Sequence, residues 1–237
     1  MNPETIKKIL SNTDHTNLSP CATKEDIIKL CKEALQYETA SVCISPSRIK
    51  DAYSYFYNQF SGDLKENKIR KHYPKICTVI GFPHGDTTTE NKMEETIEAI
   101  RLGADEIDMV VNLGWIKDGQ YEKVLSEIDM IRKCCHGHIL KVIVETGYLT
   151  ESEFKKICEI VSQSGADYIK TSTGYGPRGA SFEDITKMRA FCSPHLKIKA
   201  AGGIKTLEDA EKYLELGADR LGTSRIVKAV KELEKGE

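Results

Sequence analysis

Short apolar runs rich in Val and Ile alternate along this chain with longer amphipathic stretches. That alternation is the signature of βα units and a parallel sheet. Eight runs can be placed, over residues 13–15, 40–44, 76–80, 106–110, 140–144, 168–171, 197–200 and 220–222. Helical periodicity fills the intervals at 24–35, 89–102, 121–134, 152–162, 182–191, 207–216 and 226–233, and a short helix is expected at the N-terminus. The expected fold is α/β, a single (β/α)8 TIM barrel formed by residues 1–237 as one domain, and 237 residues suit such a barrel. Gly103-Ala104-Asp105, Gly165-Ala166-Asp167 and Gly217-Ala218-Asp219 repeat one turn, each at the close of a helix before a strand. Glycine fits a left-handed cap there. An open doubly wound sheet could use the same turn, but the count of eight favours the barrel. The polar stretch 61–73 reads as a long connection rather than a domain boundary.

Charges on four central strands alternate with apolar residues: Glu106-Ile107-Asp108-Met109, Leu140-Lys141-Val142-Ile143-Val144-Glu145, Tyr168-Ile169-Lys170-Thr171 and Lys197-Ile198-Lys199-Ala200. Successive strand residues face opposite sides, and helices cover the outside of a parallel barrel. Asp108, Lys141, Glu145, Lys170 and Lys199 are therefore expected inside, while Lys197 and Glu106 are read as solvated strand entrances. Buried charge is costly unless paired, and barrel interiors are usually filled by branched apolar side chains, so a polar interior marks a site. A space-filling salt-bridge network is the competing reading.

A lysine becomes a nucleophile only as the free amine, which an ordinary lysine with a pKa of about 10.4 seldom is at neutral pH. Desolvation and a second cation favour the free amine, so Lys170 and Lys199 suit each other, and spacing leaves open which one attacks. Such an amine condenses with a carbonyl to an iminium ion, which takes up electrons as a neighbouring carbon–carbon bond breaks. The chemistry needs no metal or other cofactor. Asp108, with the second lysine or a water, is placed to move the protons; counter-ion to a lysine is its alternative role. Ala201-Gly202-Gly203-Ile204-Lys205-Thr206 and Gly222-Thr223-Ser224-Arg225 follow the seventh and eighth strands. Barrel loops at those places often present backbone N–H groups to a phosphate. Thr206 and Asp209 also form a candidate capping box.

With 34 Lys and Arg against 36 Asp and Glu, no global field favours nucleic acid or an anionic membrane. The N-terminus lacks the apolar core of a signal peptide, so a cytoplasmic protein is expected, and its eight scattered cysteines are read as reduced thiols. Cys43 is read as a packed thiol. His136 and His138 supply too few ligands for a metal site. Tyr53, Tyr55, Phe56 and Tyr57 form an aromatic cluster on an expected helix, where core packing is the default and a subunit interface the alternative.

The set Asp105-Glu106-Ile107-Asp108, Lys141-Val142-Ile143-Val144-Glu145-Thr146-Gly147, Lys170-Thr171-Ser172-Thr173-Gly174, Lys199-Ala200-Ala201-Gly202-Gly203 and Gly222-Thr223-Ser224 closely resembles the deoxyribose-phosphate aldolases. The likeness runs from Asp14-His15-Thr16 to the last helix. It implies that Lys170 forms the Schiff base, that Lys199 tunes it and that Asp108 relays protons. It further implies reversible cleavage of 2-deoxy-D-ribose 5-phosphate into D-glyceraldehyde 3-phosphate and acetaldehyde, in nucleoside breakdown. Gly174, Gly202, Gly203, Thr223 and Ser224 are expected near the phosphate, with Thr173, Gly222, Lys141, Asp14 and Thr16 as further substrate contacts. A homo-oligomer, dimer or tetramer, is compatible with the sequence, which does not set the number. The stretch Tyr175-Gly176-Pro177-Arg178-Gly179-Ala180 departs from the family pattern, so Lys205 or Arg178 is expected to replace a basic phosphate contact. The tail lacks a terminal tyrosine found in some relatives, and no relay through it is expected. Two other classes stay open at this point: a sugar-phosphate isomerase using a carboxylate base, and a non-catalytic sugar-phosphate sensor.

Overall fold

Alternation between outward apolar and inward polar residues carries straight into the architecture. The computed structural model describes residues 1–60 and 73–236, so the connection expected over 61–73 lies, apart from Tyr73, outside the described residues. Eight parallel strands close in sequential order: β1 (Thr13–Asn17), β2 (Ser41–Ile44), β3 (Lys75–Ile80), β4 (Glu106–Val110), β5 (Ile139–Ile143), β6 (Tyr168–Lys170), β7 (Lys197–Ala201) and β8 (Arg220–Thr223), with β8 pairing back onto β1. Outside them lie α1 (Pro3–Ser11), α2 (Lys24–Gln36), α3 (Ile49–Phe60), α4 (Thr89–Leu102), α5 (Leu113–Lys117), α6 (Tyr121–Cys134), α7 (Glu151–Gln163), α8 (Phe182–Phe191), α9 (Leu207–Glu215) and α10 (Ile226–Gly236).

The core is the layer between strands and helices. Val42, Ile76, Ile107, Leu140, Val142, Ile169, Ile198 and Leu221 all belong to it and are fully buried. Side-chain caps from Thr23, Thr150 and Ser181, each in a reciprocal capping box, start α2, α7 and α8. Such caps satisfy N–H groups that have no partner within the helix. Thr206 caps α9 by accepting from Asp209 N at 3.0 Å.

The repeated Gly-Ala-Asp turn has a structural purpose in all three copies. Asp105, Asp167 and Asp219 accept, through Oδ2, the backbone N–H of Ile76, Leu140 and Ile198, at the start of the preceding strand, at 2.8–2.9 Å. Each aspartate thereby ties two neighbouring strands at their entrance. Gly103 and Gly217 take the expected positive φ (111° and 105°). Gly165 is not among the positive-φ residues, because α7 ends in an extended Ser164; a side chain at 165 would instead meet Arg132 Cγ at 2.9 Å.

Candidate active site

Parallel register puts the charged strand residues side by side. Asp108 pairs with Lys141, Lys170 with Lys199, and Lys199 with Arg220 across successive strands. Their side chains converge on Asp108. Its Oδ2 takes Lys170 Nζ at 2.8 Å and Lys199 Nζ at 2.7 Å, while its Oδ1 takes Lys141 Nζ at 2.8 Å and the Cys77 thiol at 3.2 Å. Beneath, Asp14 contacts Lys199, receives Arg220 at 2.7 Å and accepts from Ser41 Oγ at 2.7 Å. Lys141 also meets Glu106 at 2.6 Å. Gly222 leaves room for this: a Cβ there would lie 3.0 Å from Lys199 Cε.

The electrostatics follow from burial against pairing. Burial pushes the Asp108 carboxyl up, but the ammonium groups of Lys141, Lys170 and Lys199 prevail and hold it well below the carboxylate range. Asp14 is likewise held down, against burial, by Lys199, Lys141 and Arg220. Burial alone would lower Lys199, yet Asp108 and Asp14 outweigh it, so Lys199 titrates above an ordinary lysine. Of the two lysines, Lys199 is therefore not the one whose proton desolvation loosens. Lys141 is raised too, with Asp108 the leading attraction over its burial.

A cavity of about 510 Å³ opens above the cluster, at the carboxyl ends of the strands. Lys170, 3% exposed, is the cluster member that lines it. Thr16, Thr173, Gly174, Gly202, Gly203, Gly222, Thr223 and Ser224 line it, whereas Asp14 and Lys141 do not, and Lys205 and Arg225 bring positive charge to its wall. Asp108, Lys199, Lys141 and Asp14 lie below it, each fully buried. Gly202 and Gly203 adopt φ of +83° and +80°, which suits glycine, and the two loops of β6 and β7 touch there: a Cβ on Gly179 would meet Gly202 O at 2.3 Å. Arg178 does not reach the cavity, because Asp184 holds its guanidinium at 2.9 Å and Ser181 and Thr146 complete that network.

Two charged residues are placed differently from the sequence reading. Glu106 is no solvated entrance: it is buried and pairs with Lys141. Glu145 lies beyond β5 in a left-handed conformation (φ 49°), and its Oε2 accepts from the N–H of Thr173 at 3.0 Å and from the Thr173 hydroxyl, away from the lysines. Its task is to hold the loop after Lys170. Arg220 and Cys77 were overlooked, although Arg220 stands two residues before Gly222 and so shares its face by strand alternation. Cys43 is buried in a small cluster with Cys77, Val79, Leu18 and Phe82. Cys43, Cys77 and Asp108 bring ligand atoms within 4.8 Å of one another, but both oxygens of Asp108 already serve ammonium groups.

A parallel barrel with a cavity-facing lysine, a fully buried second lysine and an aspartate shared between them defines a Schiff-base aldolase by its chemistry. The chain belongs to the DeoC/LacD family of aldolases, whose model matches residues 8–226. It is 50% identical over 226 residues to the deoxyribose-phosphate aldolase of Streptococcus agalactiae, covering 95% of each chain. It is 54% identical over 206 residues to that of Metamycoplasma hominis, covering 87% of this chain and 89% of the relative. Among solved structures, the tetrameric deoxyribose phosphate aldolase from Aeropyrum pernix superposes with a TM-score of 0.82 at 30% identity, over 98% of this chain and 93% of that one.

Proposed function

We propose that the chain reversibly cleaves 2-deoxy-D-ribose 5-phosphate into D-glyceraldehyde 3-phosphate and acetaldehyde, with Lys170 as the Schiff-base lysine. The observation that carries the reading is a charge imbalance. Among the described residues, four bases (Lys141, Lys170, Lys199 and Arg220) meet three carboxylates (Asp14, Glu106 and Asp108) in the cluster, leaving one base in excess. Lys141, Lys199 and Arg220 each contact two or more carboxylates, whereas Lys170 contacts Asp108 alone and faces the cavity. Lys170 is thus the base of the cluster with the fewest carboxylate partners and the one a substrate carbonyl can reach.

Lys170 Nζ attacks the carbonyl carbon of the open-chain sugar, and loss of water gives the iminium ion. Removal of the proton from the hydroxyl on the third carbon breaks the bond between the second and third carbons. The three-carbon phosphate leaves as an aldehyde, and the electron pair passes into an enamine on Lys170. Protonation of that enamine and hydrolysis release acetaldehyde. Asp108, bridging Lys170 and the fixed ammonium of Lys199 through one oxygen, serves these proton transfers. The N–H groups around Gly174, Gly202, Gly203 and Ser224, with Lys205 and Arg225, suit the phosphate.

The described residues contain no helix long and apolar enough to cross a membrane. We place the enzyme in the cytoplasm, in nucleoside breakdown, as a homo-oligomer, dimer or tetramer; the Aeropyrum pernix relative is tetrameric. Borohydride added with substrate should fix a two-carbon adduct on the peptide containing Lys170. Folded, active protein that leaves that peptide unlabelled would overturn the assignment.

A further inference from the structure

Tyr175 stands at the mouth of the cavity that Lys170 lines, and its ring is half exposed (53%). Two loops from elsewhere in the barrel hold it. Its hydroxyl donates to Leu18 O, after β1, at 2.8 Å, and its ring meets Phe82, after β3, edge-on at 5.6 Å between centroids. Leu18 and Phe82 themselves pack on Cys43, Cys77 and Val79. The mouth therefore has two chemically different sides. Lys170, Lys205 and the glycine loops of β6 to β8 make a polar one, and Leu18 and Tyr175 make an apolar one, with Phe82 behind the Tyr175 ring and outside the cavity.

The backbone beneath the ring is fixed. Tyr175 N–H donates to Thr173 Oγ1 at 3.0 Å, Thr173 is held by Glu145, and a side chain on Gly176 would strike Glu145 at 2.8 Å. Gly174, with φ +91° and open space around a Cβ, sets the turn that directs residue 175 across the mouth. The loop cannot slide away without breaking these contacts, so the side chain at 175 decides how far the cavity extends over the apolar side.

Building on the aldolase reading, we propose that Tyr175 is the specificity-determining residue that closes the apolar side of the cavity and so excludes bulky apolar aldehydes from the enamine on Lys170. The compact phosphorylated aldehyde is retained by the polar side, which Tyr175 does not form. Truncating the ring opens space along Phe82 and Leu18, and removing only the hydroxyl frees the ring from Leu18 while keeping most of its bulk.

The test compares acetaldehyde addition to 3-phenylpropanal and to D-glyceraldehyde 3-phosphate, as the ratio of the two kcat/KM values. Tyr175→Ala should raise that ratio at least about tenfold, as expected when apolar pocket space changes by more than one methylene. Tyr175→Phe should raise it by about threefold, and Tyr148→Ala, an exposed tyrosine off the cavity, should leave it unchanged. A merely structural role would depress both substrates together and keep the ratio constant. A ratio within about twofold of wild type in folded Tyr175→Ala, or in Tyr175→Leu should the alanine variant misfold, overturns the proposal. Absence of a trapped Lys170 adduct in the wild type counts against the aldolase site instead, so the two failures are separable.

Discussion

Lys170 and Lys199 are register partners on adjacent strands, and both ammonium nitrogens lie within 2.8 Å of the same oxygen of Asp108. The pair is unequal because Asp14 also contacts Lys199 from below. Lys199 is thereby fixed as a cation, and its charge acts on whatever forms at Lys170.

Removing that charge tests the inequality. Lys199→Met should lower kcat by about 10²–10³-fold, the range found when one preorganised electrostatic contact is deleted. Lys170→Met should lose the borohydride adduct altogether. An adduct that moved to residue 199, or a wild-type kcat in Lys199→Met, would contradict the division of roles.

Asp108→Asn separates proton relay from counter-ion duty. Loss of a general acid–base group costs about 10²–10⁴-fold in kcat. Loss of the shared carboxylate also leaves buried cations poorly compensated, which costs about 3–5 kcal/mol of folding stability. Urea unfolding and steady-state kinetics measured side by side report the two effects. A variant that is destabilised yet turns over at the wild-type rate would make Asp108 a counter-ion only.

Strand alternation made much of this site legible. Asp108, Lys141, Lys170 and Lys199 could be assigned to one interior because each alternates with apolar neighbours, and β4 was bounded correctly from its sequence. The same rule placed Glu145 with them, but the chain leaves the strand before it, and a left-handed turn carries its carboxylate to Thr173. Five-residue α5 is too short for a helical period to show, and its start depends on the Asn112 cap. Arg178 looked available for phosphate because nothing local in the sequence ties it to Asp184 against Thr146, 38 residues from that aspartate. Which lysine faces the cavity is likewise a matter of how the loops close above the strands.

Acid and alkali should act on the cluster in opposite senses. Asp108 and Asp14 have folded pKa values below their unfolded ones. Their contribution to stability is complete above the unfolded carboxylate range, about pH 4, and declines as the pH falls through the folded values. Lys141 and Lys199 are raised. Their contribution is complete below about pH 10.4 and declines as the pH climbs through their folded values. Urea midpoints followed across pH should show this cluster's support as a plateau between those limits, and Asp108→Asn should lose part of the decline on the acid side. An acid limb identical in the variant would assign the decline to other carboxylates.

A second buried ion pair supports the strand that carries Asp108. Lys92 and Glu127, both fully buried, meet at 2.8 Å, and Lys92 Nζ also donates to Gly85 O and to Val110 O, the end of β4, at 2.8 and 2.9 Å. Burial dominates both titrations, lowering Lys92 and raising Glu127, so each charge depends on the other. Lys92→Met alone should therefore cost about 3–5 kcal/mol, whereas Lys92→Met combined with Glu127→Leu should cost less than the two single changes summed. The residual cost of the double variant reflects the carbonyls of Gly85 and Val110 left without a donor. With Lys92 gone, Glu127 remains raised, and a raised carboxyl favours the folded state at low pH and loses that advantage as the pH rises. The stability gap between Lys92→Met and wild type should accordingly narrow from pH 8 towards pH 5 in urea titrations. A gap independent of pH, together with strictly additive single changes, would show that the two residues contribute as separate packing groups rather than as a pair.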